Sequence, residues 1–142
     1  MPRLLTILIC LLLLASAVVA SEIKVIIGEG ELREIVGYSH AEPGKVYLIL
    51  PLKIENNGYD SVDFSPAYCK ITTEGFRYGD ASIGQSLAQS GRPPLNGNTT
   101  LKNGENIEGY MAFEIPTGTI KYALTFQPPA NNSYKIVYVR HM

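Results

Sequence analysis

Val46-Tyr47-Leu48-Ile49-Leu50-Pro51-Leu52-Lys53-Ile54-Glu55 decides the fold class of this 142-residue chain. Its period is two: Val46, Leu48, Leu50, Leu52 and Ile54 share one face, and Tyr47, Ile49, Pro51, Lys53 and Glu55 share the other. That pattern predicts a long strand with one clear core side. Asn56-Asn57-Gly58 follows and favours a tight turn. Pro51 has no N–H to give to a ladder, which places the strand at a sheet edge or bulges it there.

Working outward, the same period recurs. Ile107, Met111, Phe113 and Ile115 alternate with Glu108, Tyr110 and Glu114 until Pro116-Thr117-Gly118 ends the run. Ile120, Tyr122, Leu124 and Phe126 then alternate with Thr119, Lys121, Ala123 and Thr125 up to Pro128-Pro129. These two runs together predict a hairpin. Tyr134 to Arg140 is apolar on both faces and reads as a central strand. Weaker strand signals fall at Ile23 to Ile27, Leu32 to Val36, Val62 to Phe64, Ala67 to Thr73 and Phe76 to Tyr78. Roughly eight or nine short strands between Gly, Pro and Asn turns predict an all-β, immunoglobulin-like antiparallel sandwich. Helical spacing is nearly absent, except at Ala81 to Ser90, where Ile83 and Leu87 allow one or two turns.

The first twenty residues belong to another pattern. Arg3 precedes the apolar run Leu4 to Leu14, and Ala15 to Ala20 turns small, with Val18 and Ala20 suited to cleavage before Ser21. This predicts a secretory signal peptide over 1–20 and a single domain over 21–142. The rival reading is an uncleaved anchor, for which the run is slightly short of the roughly 20 residues that span a bilayer. Cys10 lies within the apolar run, behind Leu8 and Ile9, where lipidation would need a small neighbour.

Arg3 is one of 12 basic residues, so the chain beyond the leader carries 11 against 13 acidic ones. No basic stretch survives, which argues against nucleic acid and confines membrane contact to the leader if it is retained. Cys69 is the one cysteine beyond the leader, so no intrachain disulfide forms there. It alternates with Ala67 and Ile71 and reads as an inward, inert thiol.

Several segments resemble a known family. Ile54-Glu55-Asn56-Asn57-Gly58 resembles its strand-ending turn, and Gly75-Phe76-Arg77-Tyr78 its following G-x-x-Y hairpin. Leu101-Lys102-Asn103-Gly104-Glu105 and Gly109-Tyr110-Met111-Ala112-Phe113-Glu114-Ile115-Pro116 resemble its L-x-x-G-E and G-x-x-x-F-E-h-P signatures. Tyr122-Ala123-Leu124-Thr125-Phe126 is similar to its closing Y-x-L-x-F strand. The family is the broad set of uncharacterised secreted domains, common in prokaryotic lipoproteins, that share an immunoglobulin-like sandwich with an immunoprotective extracellular antigen. The likeness spans roughly Val46 to Pro128. It implies a sandwich and an extracytoplasmic location, and it brings no catalytic residues. This chain departs from the pattern in having no lipidation cysteine after the leader and a long connection from Gly79 to Glu105.

Reactive clusters are scarce. His40 and His141 are the histidines, and no Gly-rich phosphate loop links a strand to a helix. Copper would need clustered His, Met or Cys, whereas Met111 alternates with core residues and His141-Met142 is a tail. Asp60 and Asp63 are too few oxygens for calcium, so no metal or cofactor is expected. Asn98-Thr99-Thr100 and Asn131-Asn132-Ser133 are glycan-acceptor sequons in predicted loops, or plain loop asparagines.

Nine tyrosines stand against four phenylalanines. Tyr47 and Tyr110 fall on the outer faces of their strands and, with Ile49 and Ala112, form the expected contact face if those strands adjoin. The resulting expectation is a non-catalytic secreted or cell-surface module that binds an envelope or extracellular protein partner or supports an envelope assembly. The alternative is a small-ligand or metal carrier built on the 79–105 connection, which is otherwise a mobile loop.

Overall fold

Alternation of large apolar and polar side chains makes each strand one-sided, and two such sheets bury their apolar sides against each other. In the computed structural model this happens as the sequence predicts. The structure describes residues 21–95 and 97–127, together with the backbone of Ile136–His141. The leader therefore lies outside the described residues, as do Asn131 and Tyr134.

The strands in chain order are β1 (Glu22–Ile27), β2 (Glu31–Arg33), β3 (Ile35–Val36), β4 (Ser39–His40), β5 (Lys45–Asn57) and β6 (Ser61–Phe64). After a 3-10 turn (Pro66–Tyr68) come β7 (Cys69–Thr73), β8 (Phe76–Tyr78), the short helix α1 (Gly84–Gln89), β9 (Thr99–Lys102), β10 (Asn106–Pro116), β11 (Lys121–Phe126) and β12 (Ile136–His141). One antiparallel sheet has the order β1-β5-β10, with β2 also on β5; the other has the order β12-β11-β7-β8. Two ribbons, β3-β4 and β6-β9, complete the sandwich.

The main core lies between the sheets. Leu48, Leu50, Leu52 and Ile54 of β5 meet Met111, Phe113 and Ile115 of β10 and, from the opposite sheet, Ile71, Tyr122, Leu124 and Phe126. Phe64 stacks on Phe126 with ring centroids 6.1 Å apart, which ties the β6-β9 ribbon to the second sheet. Cys69 is buried beside Ile71, and burial pushes its thiol up to about 12. Ala67 falls in the 3-10 turn and is exposed, because Ser65 and Pro66 start that turn where the alternation suggested strand.

Three expectations need correction. β5 is central, so Pro51 lies at no edge. Gly28 N donates to Pro51 O at 2.8 Å, and residues 28–30, between β1 and β2, run past Pro51. The missing N–H thus faces a break in the neighbouring strand. Second, β10 and β11 form no hairpin: β10 pairs with β5, and β11 pairs with β7 and β12. The turn after Pro116 is a corner that carries the chain between sheets, closed by Thr119 Oγ1 donating to Pro116 O at 2.7 Å. Both runs bury the same alternating set, but from opposite sides of one core. Third, β12 pairs with β11 alone among the described residues and so stands at the end of its sheet.

Two of the family-like motifs meet at one place. Asn56 is fully buried, and its Nδ2 donates to Tyr59 O and Leu101 O, both at 2.9 Å. Its Oδ1 accepts from Tyr59 N at 3.0 Å. Gly104 N donates to Asn56 O, and Asn56 N donates to Glu105 O. The strand-ending asparagine and the L-x-x-G-E segment are therefore two halves of one polar clasp.

Candidate functional site

Tyr47, Ile49 and Ala112 do share the outer face of the β5-β10 pair, since Ala112 is in register with Ile49. That face, however, is covered. The connection after β8 crosses it as a strap and buries Tyr47, Ile49 and Ala112, with Val36 and Leu87, in a second apolar cluster. Tyr47 is 4% exposed, and its hydroxyl is raised by burial and by the charges of Glu114 and Glu42. The expected contact face is corrected accordingly: Tyr47 lies under the strap, and Tyr110, at its margin, is half-buried.

The strap is fixed at both ends. Ala81 N donates to Ala112 O at 2.8 Å, and α1 then lays Leu87 into the second cluster. Gly91, with positive φ, and Arg92 N, which donates to Leu87 O, end the helix. The Arg92 guanidinium forms a two-pronged bond to Glu31 (Nε at 3.1 Å, Nη2 at 2.9 Å) and holds the Glu31 carboxyl below its ordinary range. Tyr110 N then donates to Pro93 O at 2.8 Å, and Leu95 N donates to Tyr110 O at 2.9 Å. A Cβ on residue 109 would sit 2.9 Å from Pro93 O, which is why the motif carries Gly109 there. Residues 81–95 of the long connection are thus packed onto the sheet rather than loose, and the one-or-two-turn helix is where Ile83 and Leu87 predict it.

Where the strap recrosses β10, it leaves a depression on each side of Tyr110. One is an open, mostly apolar groove of about 570 Å³, bordered by Ile26, Pro51, Lys53, Pro93, Glu108 and Tyr110. Ile26 is 40% exposed there. The other is a cleft of about 500 Å³ whose lining includes Ser39, Asp80, Ser82, Gln85, Ser86 and Tyr110. The sequence signal for the groove was weak, because Ile26 and Pro51 carry no chemistry of their own. The signal for the strap was stronger: Val46 to Leu50 is apolar without a break, as in a strand covered on both faces.

The remaining candidates are dispersed. His40 is exposed on β4, and the His141 side chain lies outside the described residues. Met111 is in the main core. Asp63 accepts from Thr100 Oγ1 at 2.9 Å, and Asp60 is exposed in the turn before β6. Among the described residues no three of His, Cys, Asp and Glu gather as metal ligands would. Asn98 is exposed just ahead of β9, and Thr100 of its sequon lies within that strand.

These features define an antiparallel β-sandwich module with one outer sheet face strapped over and flanked by two depressions. The chain belongs to a family described as a domain of unknown function (DUF4352), whose model matches residues 17–136. No curated protein matches its sequence. Among solved structures it is similar to a "putative lipoprotein (ycdA)" of Bacillus subtilis, with 14% identity and a TM-score of 0.65 over 86% of this chain. It spans only 38% of that protein's length. It is also similar to the yjhA protein of Bacillus subtilis (16% identity, TM-score 0.58, 88% of this chain and 94% of that one). A third likeness is to MPT63, a secreted protein from Mycobacterium tuberculosis (13% identity, TM-score 0.55, 83% and 82%). At such identities the likeness is one of fold.

Proposed function

We propose that this chain is a non-catalytic secreted or cell-surface module that binds a protein partner through the open groove beside Tyr110. The observation that carries this reading is the groove itself. It is mostly apolar, preformed and left open beside the part of the same sheet face, around Tyr47, Ile49 and Ala112, that the strap covers. Ile26, Pro51, Pro93 and Tyr110 offer rigid apolar surface, and Lys53 and Glu108 give its rim both charge signs. A tyrosine beside two prolines loses little conformational entropy on binding, which favours contact with an extended peptide segment. The extracytoplasmic location is supported by the leader-like residues 1–20 and by two structural neighbours, one described as a "putative lipoprotein" and the other as a secreted protein. The non-catalytic part of the reading rests on the scatter of reactive groups among the described residues: His40 lies on β4, and the Cys69 thiol is buried in the main core.

The test is a mild-detergent capture from the native host with the full-length chain and with an Ile26→Asp/Tyr110→Ser variant. The reading expects a stoichiometric partner that the double variant loses while keeping its fold. Equal recovery by both proteins would contradict it.

A further inference from the structure

The cleft on the α1 side of Tyr110 differs in chemistry from the groove. Ser39, Ser82 and Ser86 contribute hydroxyls, Gln85 an amide and Asp80 a carboxylate, in about 500 Å³, the scale of a small-molecule site. Its walls are held in place. Ala81 N is bonded to Ala112 O on one flank and Leu95 N to Tyr110 O on the other. The Oγ atoms of Ser39 and Ser86 are 2.6 Å apart and join the β3-β4 ribbon to α1 across the cleft. Residue 37 approaches so closely that a Cβ there would lie 2.9 Å from Ser86 O.

The donor set selects a class of ligand. A single carboxylate among hydroxyls and an amide is too few oxygens of charge for a hard cation. The same carboxylate repels phosphates and carboxylates, and although Ile83, Leu95 and Tyr110 add apolar surface, the mostly polar lining disfavours a wholly apolar guest. What remains is a molecule rich in hydroxyls, since a carboxylate accepts two neighbouring O–H groups while serine and glutamine side chains both donate and accept.

We propose that this cleft binds a sugar, with two adjacent hydroxyls on the Asp80 carboxylate and the remaining polar groups met by Ser82, Gln85 and the Ser39–Ser86 pair. Asp80 is half-buried and accepts from the backbone of Ser82, so its carboxylate is held in place, and burial raises it above its ordinary range. A desolvated acceptor of this kind gains more from a ligand hydroxyl than an exposed one does. The cleft shares Tyr110 with the protein-binding groove but draws on different polar groups, and the proposal stands if that reading fails.

The experiment is amide NMR of the 15N-labelled chain titrated separately with D-glucose, N-acetyl-D-glucosamine and D-glucosamine to 100 mM. The proposal expects saturable shifts with at least one sugar at residues 80–87, none at Pro51-flanking Leu52 or at Glu108, and at least tenfold weaker binding in Asp80→Asn. Silence from all three sugars, or an unchanged affinity in Asp80→Asn, overturns it. If that variant loses its dispersed spectrum, the test passes to Gln85→Ala, at an exposed position. Roughly threefold weakening there supports the site, and unchanged affinity overturns it.

Discussion

Replacing Asn56 by Ala removes the centre of the clasp that joins the end of β5 to the turn between β9 and β10. Three side-chain hydrogen bonds disappear, to Tyr59 O, Tyr59 N and Leu101 O. The bond to Leu101 O is buried, so that carbonyl pays its full desolvation penalty, about 1–3 kcal/mol; the other two, nearer solvent, contribute about 1 kcal/mol each. The sum is a loss of about 3–5 kcal/mol. Against a total stability of about 5–15 kcal/mol this is a large share. For a domain of this size it corresponds to a drop in Tm of about 10–25 °C. Asn56→Asp sharpens the reasoning: it keeps an acceptor for Tyr59 N but turns a carboxylate oxygen toward two carbonyls. It is expected to be as damaging as alanine at pH 7 and to recover partly near pH 4, where a protonated carboxyl can donate again. Urea unfolding followed by circular dichroism measures both. A loss below about 1 kcal/mol for Asn56→Ala, or no acid recovery for Asn56→Asp, would refute the clasp as a source of stability.

Cys69 gives a pH dependence of defined sign. Its thiol is neutral in the folded state up to about 12 but ionises from about 9 when unfolded, so stability is intact below pH 9 and falls between the two values. Cys69 adds up to about 1.4 kcal/mol per pH unit to the slope in this window, and Cys69→Ala is expected to remove that contribution while leaving the one from the raised Tyr47 hydroxyl. Glu74 and Gly75 both have positive φ in the two-residue turn between β7 and β8, a turn that suits Asn-Gly. Glu74→Asn is therefore expected to raise stability by about 0.5–1 kcal/mol in the same urea assay. Leu87→Ala should loosen the strap over Tyr47 and Ile49, and hydrogen exchange should speed at the Leu87 and Ser90 amides before it speeds in β5.

Much of the fold was legible because period-two alternation reports directly which side of a strand meets the core. Val46 to Glu55 and Ile107 to Ile115 pack as their alternation requires, and Cys69 points inward with Ile71. Alternation says nothing about which sheet a strand joins. The Ile107–Ile115 and Thr119–Phe126 runs therefore looked like a hairpin, although a corner at Pro116 separates them. Pro51 was misplaced because the accommodating break lies in a different segment, at residues 28–30. Two very short elements, β4 and β9, carry too few apolar residues to announce themselves. The site was half legible. Tyr110 does border both depressions, but the polar, glycine-rich strap that buries Tyr47 reads locally as loop. Its short helix shows in the spacing of Ile83 and Leu87, but the sheet face that Leu87 covers is a tertiary partner that the local sequence does not name.

The central claim is that the open groove is where a partner docks. Site-specific photocrosslinking from position 53 or 108, on the groove rim, tests it most directly when compared with position 77 on the opposite sheet. In the native host, the account predicts one discrete crosslinked protein from positions 53 and 108 and none from position 77. The same crosslinking pattern from all three positions, or no crosslink at 53 and 108, would contradict it.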